Sequence, residues 1–193
     1  MAVDINEILI RFRQATITAV GSRLATLNDG TTPAIFYTKD RFPVGTYPMV
    51  LIEVGNRRKQ GSHTTYRHYD TLGNTVISIA YDYFVTLTVI TDHTGNAQQI
   101  ADDLEASFVR NDITEIFTID GLGTPAETFG VDNNVFKEGS EVKQVSSLIV
   151  RFTAVNVVTE VEPEIQTLDA NFIMRYPNSD VDVISGNIQA QDN

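Results

Sequence analysis

The most regular pattern in the chain is an alternation of apolar and polar positions over residues 75–91. Odd positions from 77 to 89 are apolar or aromatic, whereas the even positions include Ser78, Asp82 and Thr88. A period of two is typical of a β-strand with one buried face and one wetter face. At roughly 3.3 Å per residue this strand would span about 55 Å, more than a small domain needs. We therefore predict that its far end contacts something other than the domain's own core.

Spacings of three and four residues mark the N-terminal segment, for which we predict a helix over residues 4–27 with Gly21-Ser22 as a candidate end or bend. Its core face consists of Ile5, Ile8, Leu9, Phe12, Thr16, Ala19 and Val20. A second stripe, at seven-residue intervals, consists of Ile10, Ile17 and Leu24 and lies well round from that face. Isolated exposed apolar residues are normal in soluble proteins. Because these three fall in register, we interpret the stripe as a contact surface for a neighbouring subunit.

Shorter patterns predict the remaining elements. Apolar runs or alternation predict strands at 34–38, 49–55, 115–119, 145–158 and 165–174. A helix over about 95–110 has Ala97, Ile100, Ala101, Leu104 and Phe108 on one face. Turn residues dominate 120–141, and weak patterning indicates a flexible C-terminal extension over 176–193. The predicted fold is α+β, a single domain over residues 1–175 in which two helices pack on an antiparallel β-sheet.

A projecting β-hairpin arm is predicted over about residues 56–80. This segment contains Arg57, Arg58, Lys59 and Arg67, which are four of the fourteen Lys and Arg residues of the chain. Turn residues at 70–74 separate it from the long strand. Because a two-stranded hairpin has little core of its own, such an arm needs a partner for stability.

The net charge of −11 is distributed unevenly along the chain. Residues 1–70 hold nine Lys and Arg against six Asp and Glu, which gives +3, whereas residues 71–193 hold five against nineteen, which gives −14. Charge asymmetry of this kind steers head-to-tail association, with simple solubility as the alternative. The basic residues of the arm, with Tyr66 and Tyr69 for stacking, also fit a nucleic-acid contact. The acidic remainder of the chain favours a contact with protein, because its field repels DNA.

The residues that carry chemistry form no catalytic or metal-binding pattern. The chain has no cysteine, which excludes disulfides and thiol catalysis. His63 and His68 lie five apart, which puts them on opposite faces of a strand. The acidic cluster at 102–105 is the solvated face of a helix, and no Gly-x-Ser-x-Gly turn is present. We expect neither catalysis nor a cofactor or metal, and no signal peptide or membrane span is predicted.

The order of elements resembles the tail terminator proteins of tailed bacteriophages. The likeness covers about residues 4–174 and depends on two local features: the Tyr47-Pro48 pair that opens the strand at 49–55, and the strand-to-helix run YDYFVTLTVITDHTGNAQQIADDLEASF. The resemblance implies a small α+β subunit, six copies of which form a ring. In that family the ring ends polymerisation of the tail tube and joins the tail to the head-side connector.

The resemblance also implies partners and a location. The partners are further copies of the chain in a homohexamer, the tail-tube protein and a connector or stopper protein, and a sheath subunit is a further candidate. DNA would pass through the lumen without specific binding, and the protein would be made in the host cytoplasm and reside in the neck of the virion. The expected contacts between subunits are Ile10, Ile17, Leu24, Arg57, Arg58, Lys59 and Arg67.

Two alternatives remain open at the level of the sequence. A head–tail connector or a tail-tube subunit shares the same small design with interface arms. A module that binds a small ligand belongs to a different class and would be a monomer with an apolar pocket.

Overall fold

The computed structural model describes residues 4–39, 45–60, 65–72, 74–138, 141–160, 167–175 and 182–191. The helices are α1 (Ile5–Val20), α2 (Ala97–Ser107) and α3 (Asn111–Thr118). The strands are β1 (Ile35–Tyr37), β2 (Met49–Lys59), β3 (Thr65–Tyr69), β4 (Thr75–Thr91), β5 (Thr124–Glu138), β6 (Glu141–Glu160), β7 (Thr167–Arg175) and β8 (Asp182–Gln191). The chain divides into two compact units, the first with residues 1–68 and 76–158 and the second with residues 69–75 and 159–193.

The larger sheet has the strand order β1-β2-β4-β6-β5, and β3 also pairs with β4. β1 runs parallel to β2, whereas the β2–β4 and β5–β6 pairs are antiparallel. Hydrogen bonds link Thr88 to Ser147 and Asp82 to Thr153, so β4 and β6 also run in opposite directions. The α+β prediction is confirmed, and the sheet is mixed but mostly antiparallel.

The helices pack on one face of this sheet, and the alternation of β4 determines which face it is. The residues of β4 that point towards the helices are Tyr83, Val85, Leu87 and Val89, all buried. They meet an aromatic cluster in which the Phe12 ring of α1 lies 4.8 Å from Phe117 of α3 and 5.8 Å from Phe152 of β6. Tilted and edge-on aromatic pairs at these distances add stabilisation beyond the burial of area. The main core therefore lies between α1–α3 and one face of the sheet, while a smaller buried cluster of Ala34, Met49 and Ile90 lies on the other face.

The N-terminal helix is shorter than predicted. Asp4 caps it by accepting a hydrogen bond from the Asn6 N–H, and it ends at Val20 instead of residue 27. A 3₁₀ turn at Gly21–Arg23 follows, after which Leu24 has an extended backbone. This change of direction brings Leu24 into the core, where it is 6% exposed. The prediction that Leu24 continues an exposed stripe is therefore wrong.

The segment predicted as a strand at 115–119 is helical. Residues 111–118 form α3, whose buried positions are Ile113 and Phe117. Their separation of four residues is the helical period, which the short apolar run did not reveal. The described part of the chain thus has a third helix, where two were predicted.

The segment predicted as a loop at 120–141 contains most of the 15-residue strand β5. Its pairing with β6 shifts register between Pro125 and Glu127 and again between Phe129 and Asp132. These irregularities coincide with the proline and glycine positions that made the segment resemble a loop. The long partner strand β6 supplies the pairing that the local pattern of β5 does not indicate.

The pairing of β2 with β4 changes where the predicted arm would begin. β2 continues past residue 55, and after a register shift Arg57 lies opposite Tyr83 and Lys59 opposite Tyr81. β3 then pairs with β4, and the Asp70 N–H donates to the Asn74 carbonyl in the turn. Arg57 and Lys59 therefore belong to the large sheet, and a projecting arm over 56–80 stays a prediction.

The second unit contains the antiparallel pair β7–β8. Its register runs from Thr167 opposite Gln191 to Arg175 opposite Asp182. The extension over 176–193 that was predicted to be flexible includes β8, while 176–181 and 192–193 lie outside the described residues. Weak local patterning hid β8 because the strand depends on pairing with β7.

The aromatic cluster gives a prediction of stability. Phe12→Ala should lower the free energy of unfolding by about 3–5 kcal/mol, because it removes a fully buried ring that contacts three others. Val109→Ala, at a highly exposed position, serves as the control and should change it by less than about 0.5 kcal/mol. Urea unfolding at low protein concentration measures both values. Equal losses in the two variants would contradict the assigned core.

Candidate functional site

An exposed basic segment occupies the end of β2 and continues in β3. Arg57, Arg58, Lys59 and Arg67 are all exposed, and none forms an ion pair with another described residue. The Arg57 guanidinium lies 5.0 Å from the centre of the Tyr81 ring, a cation–π contact that orients it. We call these four residues the basic strand end. Within the described residues, these four cations therefore lie outside any ion pair.

Alternation along β2 distributes these cations over both faces of the sheet. Arg57 and Lys59 lie opposite Tyr83 and Tyr81, whereas Arg58 lies opposite Asp82. Successive strand residues point to opposite faces, so Arg58 is on the face away from the helices. The basic strand end therefore presents charge on two sides of the sheet.

Asp82 anchors this end of the sheet. The Asp82 side chain is largely buried, and its Oδ1 accepts hydrogen bonds from Gln60 Nε2 at 2.6 Å and from Thr153 Oγ1 at 2.7 Å. The Gln60 N–H also donates to the Ala80 carbonyl. One carboxylate thus connects the residue after β2 with β4 and β6. Arg57, Arg58 and Lys59 therefore belong to a paired strand next to this hydrogen-bond network, and not to a loop.

Exposed apolar positions form two further groups, of which one was predicted. Ile10 and Ile17 of α1 are 52% and 38% exposed, as expected for a contact stripe, although Leu24 is not part of it. No described contact joins Ile10 or Ile17 to the basic strand end, so the structure does not bring the predicted set together in one site.

The second group lies on the face of the large sheet opposite the helices, and sequence reasoning missed it. The Phe84 and Phe129 rings are 6.3 Å apart, and Phe129 lies opposite Ile149 of β6. Phe129, Ile149 and Val155, further along β6, are all exposed. Arg151 pairs with Glu127 at 3.4 Å, but its buried Nε has no hydrogen-bond partner among the described residues. We call these residues the open-face patch. Recognising it required β5, which the sequence pattern did not predict.

The carboxylates with shifted pKa values lie in turns or at the start of α3, as Asp29, Asp92 and Asp112 show. Hydrogen bonds from the Thr32 side chain and from the Thr32 and Thr31 N–H groups lower the pKa of Asp29 to about 2. Bonds from Thr94 lower the pKa of Asp92, and the Arg110 side chain lowers that of Asp112. Each carboxylate accepts local hydrogen bonds that favour its charged form.

A shallow groove lies beside β1. Its cavity volume is about 320 Å³, and it is lined by Ile5, Asn6, Leu9, Tyr37, Thr38, Lys39, Ile52, Glu53 and Val54. No described helix is long and apolar enough to cross a membrane, and the described residues contain no cluster of three metal-ligating side chains. His63, considered above as a metal ligand, lies outside the described residues.

The network at Asp82 gives a prediction for this site. Asp82→Ala should lower the free energy of unfolding by about 1–3 kcal/mol, because the Gln60 and Thr153 donors lose a buried acceptor. Hydrogen exchange should also accelerate at the Gln60 amide. Asp102→Ala, at an exposed position on α2, is the control and should change neither quantity. Unchanged exchange at residues 57–60 would contradict the anchoring role.

Comparison with known proteins places the chain in no family. No protein-family model matches it, and no curated protein matches it either. The functional interpretation therefore depends on the residues and geometry described above.

Proposed function

We propose that the chain is a structural protein of a bacteriophage virion that acts as a tail terminator without catalysing a reaction. Six copies would close a ring that ends growth of the tail tube and joins the tail to the head-side connector. The observation that carries the proposal is the basic strand end: exposed cations on anchored backbone with no ion-pair partner in the described residues. A surface of this kind supports a role in protein contact more readily than a role in chemistry.

Charge distribution supports a head-to-tail arrangement. The basic strand end lies within residues 1–70, which carry +3, while residues 71–193 carry −14. Two different surfaces of opposite charge suit a heterologous interface, which generates a closed ring when its rotation closes. Ile10 and Ile17, which lie on α1 apart from the basic strand end, would add apolar area to a contact between subunits.

The predicted arm would contact the next subunit of this ring. The β3–β4 pair exposes Tyr66, Tyr69 and Leu72, and tyrosine is enriched where proteins meet. As an arm over residues 56–80, this pair would reach the next subunit and gain the partner that a two-stranded hairpin needs.

The net charge also suits a channel for DNA. Six subunits with −11 each carry −66 in total, so the summed field of the ring repels a phosphate backbone. DNA would pass without specific binding, while the rims of the ring contact the tail-tube protein on one side and the connector or stopper protein on the other. A sheath subunit is a further candidate partner, and residence in the virion neck follows synthesis in the host cytoplasm.

The alternatives differ from this proposal in their state of assembly. A tail-tube subunit would polymerise without a fixed end, and a head–tail connector would form a ring that caps the head. The groove of about 320 Å³ beside β1 favours a third reading as a small-ligand module, which would stay monomeric.

Charge reversal tests the proposal. Wild type should sediment as a particle of about 128 kDa, the mass of six chains of 21.4 kDa. The variant R57E/R58E/K59E should need a concentration at least about tenfold higher for half-assembly, because it places like charges against an acidic neighbour. Sedimentation velocity over a concentration series measures the shift, and circular dichroism checks that the variant remains folded.

Two single substitutions with the same change in charge test whether the position of the cation or the total charge of the chain controls assembly. R58E should weaken assembly, whereas K39E, which removes an equal charge from an exposed site outside the basic strand end, should not. Equal assembly of the triple variant and wild type would remove the basic strand end from the interface.

A further inference from the structure

One side of β2 pairs with no described strand past the end of β1. β1 accompanies β2 only over Val50–Ile52, whereas the other side of β2 stays paired with β4 as far as Lys59, and the Gln60 N–H also donates to β4. Because the backbone groups of successive strand residues point to alternate sides, those of Arg57 and Lys59 point away from β4. We call this side of residues 55–59 the free edge of β2.

β5 forms the opposite edge of the sheet. It is the last strand in the order, and among the described strands its only partner is β6. The register between the two is uninterrupted from Asp132 to Glu138, so this stretch of β5 is regular enough to accept another strand. Asp132 is exposed and forms no ion pair with another described residue. An exposed edge strand is a template for pairing with another chain.

Arg58 and Asp132 lie on the same face of the sheet, one at each edge. Arg58 lies opposite Asp82 of β4, and Asp132 lies opposite Ser147 of β6, whose hydroxyl hydrogen-bonds with that of Thr88. Asp82 and Thr88 occupy even positions of β4, whose odd positions from 83 to 89 face the helices. Because strand residues directly opposite each other share a face, both charges lie on the face away from the helices.

We propose that β5 of one copy of the chain pairs with the free edge of β2 of the next copy, with Asp132 opposite Arg58. This inference rests on the proposed ring and names the contact that joins consecutive subunits. In strand addition of this kind, main-chain hydrogen bonds supply affinity and side chains supply specificity. On the helix face, Arg57 and Lys59 would approach an edge where the Glu105 carboxylate accepts a hydrogen bond from Thr128 of β5.

The ring determines the direction of the pairing. Consecutive copies in a ring of six differ by one-sixth of a turn, which does not turn the sheet over, so the helices of both copies lie on the same side. β2 and β6 both run antiparallel to β4, and β5 runs antiparallel to β6. β5 of one copy therefore runs antiparallel to β2 of the next. Opposite charges that face each other directly across an antiparallel pair stabilise it.

Like charges disfavour the symmetrical pairings of the same edges. Two free edges of β2 would bring Arg57, Arg58 and Lys59 of one copy against the same cations of another. Two β5 edges would bring Asp132 against a second Asp132. Repulsion of this kind selects among partners. The pairing that joins opposite charges uses two different surfaces, which is the type of contact that generates rings.

Mixing two defective full-length chains tests the contact. R58E and D132K should each raise the concentration for half-assembly at least about tenfold, because each places like charges across the pair. An equimolar mixture should return to within about threefold of wild type, because every contact in an alternating ring again joins opposite charges. Sedimentation velocity measures assembly, and circular dichroism checks that each variant is folded.

The matched control is D102K, which makes the same change of charge at an exposed position of α2. It should assemble within about twofold of wild type, because a surface substitution away from the contact has little effect. A mixture of D102K with R58E should not be restored, since D102K leaves the acidic edge unchanged and offers the glutamate of R58E no new cation.

Hydrogen exchange tests whether the strands themselves pair. The amides of Arg57 and Lys59 should exchange at least about tenfold more slowly in assembled wild type than in dilute, dissociated wild type. The Arg58 amide points towards β4 and should change less, which makes it a control within the same strand. Exchange with mass spectrometry at single-residue resolution measures all three. This experiment uses wild type alone, so it does not depend on the folding of a variant.

Each failure has a separate meaning. If wild type assembles and D132K assembles equally well, the edge pairing is overturned and the ring proposal stands. If D132K is defective but its mixture with R58E is not restored, or if Arg57 and Lys59 gain no protection on assembly, the edge pairing is also overturned. If wild type is a monomer at all concentrations, both the edge pairing and the ring proposal are overturned.

Discussion

The structure depends on the central position of β4 in the large sheet. β4 pairs with β2, β3 and β6, so its 17 residues define the direction of the surrounding strands. Its odd positions from Tyr83 to Val89 bury against the helix layer, and the Phe12–Phe117–Phe152 cluster completes that core. A slip of one residue in this pairing would move every buried side chain to the other face, which is why the register is strongly determined.

Two features of this strand bear on the proposed function. Its length gives β2 and β3 a partner beyond the helix layer, and the Asp82 network holds the basic strand end there. None of the three described helices packs on its second face, where the open-face patch lies. The exposed apolar residues of this second face, and the absence of ion pairs at the basic strand end within the described residues, support the proposal that the chain contacts neighbouring copies. In the proposed ring, the charge asymmetry of the chain would give neighbouring copies complementary surfaces.

Sequence patterns predicted the elements that bury a face of their own. β4, the first part of β2 and helix α2 have strong local periodicity, and the structure confirms them. α3 was predicted as a strand because Ile113 lay outside the short apolar run at 115–119. β5 and β8 were not predicted from the sequence, because each is stabilised by pairing with another strand and the local pattern does not encode that pairing.

In the candidate site too, the features set by local sequence were predicted, and the features set by contacts between distant segments were not. Exposure of Arg57, Arg58 and Lys59 followed from their polarity, but their anchoring by Asp82 depends on Gln60 and Thr153, which are far apart in sequence. Leu24 left the predicted stripe because the helix ended before it. The open-face patch combines residues of β4, β5 and β6, so it becomes visible only when those strands are assembled. Contacts between distant segments are thus the part that sequence reasoning could not supply.

The central claim is that the isolated chain closes into a ring of fixed size. Electron microscopy of the purified wild-type protein at micromolar concentration tests it most directly, because class averages show symmetry and closure without reference to any partner. The account predicts uniform rings with six-fold symmetry and an open axial channel. Open tubes of variable length, or particles no larger than a single 21.4 kDa chain, would contradict it.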